Sequence, residues 1–231
     1  MATGMFGGSP IQKAFLAPFI TFMALLALGE LVAHLFDGWA FWMVSAPRYW
    51  VFPLQTVICG VLLRQNWRRY PLSAPARPLF TLAVAVGVLV LWISPQEFFR
   101  AAPRTDGFDP AFFGNDWRWW ANTIPRWLRL VVVVPLLEEI FWRGFLLRYL
   151  IREPFEDVPF GAFSWASCAW VTLFFGLAHW GPDFWPALIT GALYNAVAYR
   201  TRSLSSCVLA HAVTNLLLGI YICKTGQWGF W

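Results

Sequence analysis

Residues 131–150 read VVVVPLLEEIFWRGFLLRYL, an apolar run interrupted by two adjacent carboxylates, Glu138 and Glu139, and by Arg143. The apolar character extends back to residue 124, which gives more than the roughly 20 residues a membrane-spanning helix needs. An ionisable group inside such a span is costly and marks a functional site by default. At about 100° per residue, positions four apart share a helix face, so Glu139 and Arg143 can neutralise one another. Glu138 points elsewhere and is the carboxylate left free for chemistry, suited to a general base. Pro135 removes a backbone hydrogen bond just ahead of the pair and predicts a kink there. A structural salt-bridge network between helices is the competing reading of the same residues.

The rest of the chain has the same character. Of 231 residues, 59% are apolar and only 13% are charged, with 16 Trp suited to interfacial belts. Mean hydropathy is +0.56. These figures exclude disordered, collagen-like and most soluble chains, and predict an all-α, polytopic transmembrane helical bundle. It forms a single integral membrane domain, 1–231, of about seven or eight spans. The net charge of +5 reads as topology and contact with anionic lipid, not as nucleic-acid binding. The four Cys lack CxxC spacing, so neither a disulfide framework nor a zinc-thiolate site is indicated.

Apolar runs fall at 14–36, 49–63, 79–94, 124–150, 160–180, 184–199 and 204–223. Arg64, Arg68, Arg69 and Arg77 lie between the second and third runs with no acid among them, which predicts a cytoplasmic loop and N-terminus. Arg148, Arg152, Arg200 and Arg202 then fall on the same side. Residues 97–123, rich in Pro, Gly, Asp and Trp, read as an external loop with an interfacial segment. An eighth span hidden there would invert everything after it.

Two further polar clusters lie in spans. In FGLAH, Phe175 and His179 are four apart near a span end. In HAVTN, His211 and Asn215 are four apart within the last span. Each alone reads better as structural, His179 as a helix-end or interfacial histidine and His211 with Asn215 as hydrogen-bonding glue between helices. Together with Glu138 they form a complete set for water-mediated acyl transfer. Glu138 takes a proton from water, His179 orients that water, and His211 and Asn215 donate to the oxyanion. No GxSxG, HExxH, GxGxxG or Walker motif competes. Glu30 and His34, one turn apart in the first span, read as an intrahelical hydrogen bond or ion pair.

Here the chain resembles a known family. EEIFWR (Glu138, Glu139, Arg143) matches EExxxR, FGLAH (Phe175, His179) matches FxxxH, and HAVTN (His211, Asn215) matches HxxxN. In that order these are the signatures of the CPBP family of CAAX-processing and bacteriocin-processing glutamate intramembrane proteases. The resemblance covers a motif-bearing core of about 125–222. It implies a helical bundle with a conical cavity open to the cytosol and membrane, in a multi-pass protein of a bacterial inner (plasma) membrane. The implied activity is endoproteolysis of a membrane-associated protein or peptide, in some members a prenylated CaaX protein cut before its last three residues. Carried over, Glu138 and His179 activate water, His211 and Asn215 form the oxyanion site, and Glu139 and Arg143 support them. No cofactor is implied, a divalent metal being the minority reading. Two functions outside this one use the same residues: a transporter or proton-coupled carrier, and a non-catalytic membrane chaperone or immunity protein.

Overall fold

The structure, a computed structural model, describes residues 9–231. The expected cytoplasmic placement of residues 1–8 lies outside that range. Seven long helices correspond to the seven apolar runs. They are α1 (Pro10–Leu35), α2 (Arg48–Gln65), α3 (Pro78–Glu97), α4 (117–149), α5 (Trp165–Ala178), α6 (Phe184–Thr201) and α7 (Leu204–Thr225). Among the described residues there is no strand. By length and composition α1, α3 and α7 are apolar enough to cross a membrane. Large apolar side chains such as Ile20, Leu31, Val57, Val61, Leu79 and Val86 remain exposed on these helices and on α2, as lipid-facing surfaces require. The fold is an all-α membrane bundle.

Contacts sort the connections into two ends. At one end the Tyr70 hydroxyl donates to Ala14 O (2.9 Å), and the Ala76 N–H donates to Ser206 Oγ (2.9 Å). This ties the loop after α2 to the starts of α1 and α7. Burial pushes the Tyr70 hydroxyl up to about 12, against a smaller lowering effect from Arg69. The arginines at 64–77, 148–152 and 200–202 all gather here. At the opposite end Tyr49 donates to Asp109 O (2.8 Å), and Arg104 clasps Asp183 through two bonds of 2.6 and 3.1 Å. The Gly229 N–H also donates to Arg104 O (2.8 Å).

Two elements differ from the sequence expectation. The Trp-rich segment is not loop throughout. Helix α4 begins at Trp117, because Asp116 accepts from the Arg118 N–H as an N-cap. The paired Arg118 guanidinium holds the exposed Asp116 carboxyl below its ordinary range. Secondly, Glu30 and His34 are exposed on α1 and take part in no ion pair among the described residues. Nothing buries that pair deeply enough to force it together.

Helix α4 carries Glu138, Glu139 and Arg143, and its backbone is irregular around them. Residues Trp117–Leu128 are α-helical, Arg129–Val133 form a π segment, Val134–Glu139 are α-helical again, and Ile140–Leu146 form a second π segment before Leu147–Tyr149. Pro135 therefore acts by widening the preceding turn. Aromatic packing fixes α1 against this region: Phe19 stacks on Phe141 at 3.9 Å and meets Trp142 edge-on at 5.1 Å.

Candidate active site

The two adjacent glutamates have separate surroundings. Glu139 is fully buried, and its Oε1 accepts from Arg143 Nη1 (3.1 Å) and from His211 Nδ1 (2.9 Å). Arg143, also fully buried, spends its other donors on Asn195 Oδ1 (3.1 Å) and Gly191 O (2.9 Å). Gly191 also packs closely on Phe175, where a Cβ would stand 3.2 Å away and the ring would have to give slightly. Glu138 has no comparable partner. Its Oε2 is buried without a hydrogen bond, and the residue faces a cavity of about 180 Å³.

That cavity brings the predicted residues together. Glu138 from α4, His179 at the end of α5, and His211 and Asn215 from α7 all line it, beside Phe175 and Tyr194. Helix α5 is only 14 residues long and stops at Ala178, which is how His179 reaches the same space as His211. His179 Nδ1 lies 2.9 Å from Phe175 O. A carbonyl can only accept, so Nδ1 carries the proton, and neutral His179 offers Nε2 as an acceptor. His211 uses Nδ1 on Glu139, which leaves its Nε2 for the cavity.

These motif residues lie in a segment that a family model also matches. Residues 119–217 match the type II CAAX prenyl endopeptidase, Rce1-like, family. No curated protein and no solved structure matches the chain. The Rce1-like segment takes in α4 from its third residue, all of α5 and α6, and α7 past Asn215, so every motif residue falls within it. The similarity is to a CAAX-protease-type endopeptidase family and is confined to that segment.

Asn215 has a partner that its motif does not announce. In the first π segment the Val134 N–H bonds Arg129 O, five residues back. The next donor in that register is residue 135, a proline without an N–H, so Leu130 O loses its helical partner. Asn215 Nδ2 donates to it at 2.9 Å. One amide hydrogen thus braces the irregular turn and the other remains. Asn215→Ala is expected to lower kcat about 100–1,000-fold, as for loss of one oxyanion donor. It is also expected to lower the melting temperature, because an unpaired buried carbonyl costs about 1–3 kcal/mol. Both are read on the purified protein, and an unchanged kcat with a lowered melting temperature would leave Asn215 as a brace alone.

The cavity extends toward Asp183 and Phe230, at the end opposite the arginine-rich loops. This departs from the expectation of a cavity open to the cytosol if the arginine-rich end is cytoplasmic. A larger cavity of about 230 Å³ lies between α1 and α2 beside Glu30 and Arg48, away from the motif residues. Among the described residues no group of three His, Cys, Asp or Glu side chains could hold a metal ion. Asn195 and two buried cations of the Rce1-like segment, Arg126 and Arg129, were not among the predicted residues. The rule that singles out Glu138, a charge within an apolar run, applies equally to both arginines.

Proposed function

We propose that the chain is a multi-pass intramembrane endopeptidase that cuts a membrane-associated, lipidated protein near its C-terminus, in a bacterial inner membrane. The arginine-rich end faces the cytoplasm, in keeping with the positive-inside bias. The observation that carries the reading is the division of labour between the glutamates. Glu139 is committed to Arg143 and His211 through Oε1 and is fully buried, while Glu138 makes no ion pair among the described residues and lines the cavity shared with His179.

In the reaction, a water held between Glu138 and His179 Nε2 gives its proton to Glu138 and its oxygen to the scissile carbonyl carbon. The oxyanion takes hydrogen bonds from the free Asn215 N–H and from His211 Nε2–H. His211 offers that second N–H only as imidazolium, whose charge faces the Glu139 carboxylate. Collapse of the intermediate breaks the C–N bond, and Glu138 returns the proton to the leaving amine. No step uses a metal.

The test is hydrolysis of a peptide ending in farnesyl-cysteine, valine, isoleucine and alanine by the purified protein in proteoliposomes, run in ¹⁸O-water. One ¹⁸O atom is expected in the new cysteine carboxylate, at a rate insensitive to chelator. An intact peptide would overturn the reading, and chelator-sensitive cleavage would overturn its metal-free chemistry.

A further inference from the structure

A second cavity, of about 200 Å³, meets the first at Leu130, Val134, Glu138 and His179. Its other walls come from α1 (Phe19, Phe22, Met23, Leu26) and from Trp142, and its one cation is Arg129. Helix α1 packs on α2 and α4, so the cavity fills the space between α1, α4 and α5. A chain lying across Glu138 would thus have one side in each cavity.

Arg129 is buried and has no ion-pair partner among the described residues. Its guanidinium is nonetheless held in place. It lies over the rings of Phe22 (4.9 Å) and Phe52 (4.2 Å), and its Nε donates to Gln55 Oε1 (3.0 Å). Gln55 is itself fixed, donating from Nε2 to Phe22 O (2.8 Å). With Nε occupied, the two terminal nitrogens remain, the fork that recognises a carboxylate. Arg126, one turn earlier, is buried too. It sits among Phe52, Phe108 and Trp231 and lines neither of these cavities.

Glu138 opposes the desolvation of Arg129 only at a distance and makes no ion pair with it, so the two terminal nitrogens of this buried cation remain available to an anionic ligand. We infer that Arg129 binds the C-terminal carboxylate of the substrate, and that the apolar cavity around it receives the short peptide released by cleavage. The inference rests on the endopeptidase reading above. Arg129 and Glu138 are nine residues apart on α4, at most about 13 Å along the axis at the α-helical rise of about 1.5 Å per residue and less through the wide turn at Arg129–Val133. An extended tripeptide spans about 10–11 Å, and the arginine side chain bridges the remainder. Hydrolysis sets free a tripeptide that keeps its original carboxylate on Arg129 and gains a new amino group near Glu138. Arg129 therefore fixes both the direction in which substrate lies and the distance of the cut from the C-terminus.

The test uses two substrates, the farnesylated peptide above and the same peptide with a C-terminal amide, on full-length protein in proteoliposomes. Wild type is expected to prefer the acid by about 10–100-fold in kcat/KM, the range for a hydrogen bond to a charged group. Arg129→Gln is expected to erase that preference, and Arg129→Lys to retain part of it. The acid-to-amide ratio is taken within one preparation, so it does not depend on how much of a variant folds. Equal cleavage of both peptides by wild type would overturn the anchor while leaving the endopeptidase reading intact. So would a preference that persists in Arg129→Gln. Failure of wild type to cut either peptide would overturn the endopeptidase reading for this substrate class, and the anchor with it.

Discussion

Glu138→Gln will lower turnover by about 100–10,000-fold, the usual contribution of a general base. The protein will still insert and melt near the wild-type temperature. Glutamine has the shape of glutamate but cannot take a proton from water. Glu138 Oε2 has no hydrogen-bond partner to lose, and the charge that the substitution removes acts on buried Arg129 at a distance, without an ion pair. Glu139→Gln is the contrasting case, since it removes the charge facing both Arg143 and His211. Single-turnover cleavage and thermal melting on matched preparations separate the two. Near-normal turnover by Glu138→Gln would remove it as the base.

Arg143→Met carries the largest expected loss of stability, about 3–5 kcal/mol, the cost of leaving a buried charge without its partner. The guanidinium is fully buried and joins three helices, through Glu139 of α4 and through Asn195 and Gly191 of α6, with Asn195 Nδ2 in turn donating to Thr172 Oγ1 of α5 (3.1 Å). Removing both charges should be milder than removing one. Arg143→Met with Glu139→Gln is therefore expected to melt above Arg143→Met alone. Tryptophan fluorescence in detergent would follow the transitions, with 16 Trp as reporters. If Arg143→Met melts with wild type, the buried network does not hold the bundle together.

Much of this arrangement was legible in the sequence, because intramembrane charge is rare enough to be informative. The seven apolar runs became seven helices. Glu138, His179, His211 and Asn215 came together at one cavity although they belong to three helices. The pairing of Glu139 with Arg143 followed from helical spacing alone. What spacing could not give is contact between distant segments. The bond from His211 to Glu139 spans 72 positions, and that from Asn215 to Leu130 spans 85. The start of α4 was missed because Asp, Gly, Pro and Trp upstream look like loop, while the deciding signal was one capping residue, Asp116. Arg129 obeys the same rule that marks Glu138, a charge within an apolar run, but belongs to none of the three motifs.

The two glutamates are the same amino acid side by side, so nothing in the dipeptide itself says which of them meets water. That is decided by the phase of α4, and the phase is set upstream by the wide turn at Arg129–Val133. With the wide turn kept, removing one residue between it and Glu138 would advance everything after that point by one place. Glu139 would stand where Glu138 stands, and Arg143 where Trp142 stands. The buried cation would then point at an aromatic neighbourhood, and Ile140 would occupy the position opposite His211. The identity of the reactive carboxylate is thus a property of helix winding several residues away. In this segment a one-residue insertion or deletion is a more radical change than most substitutions.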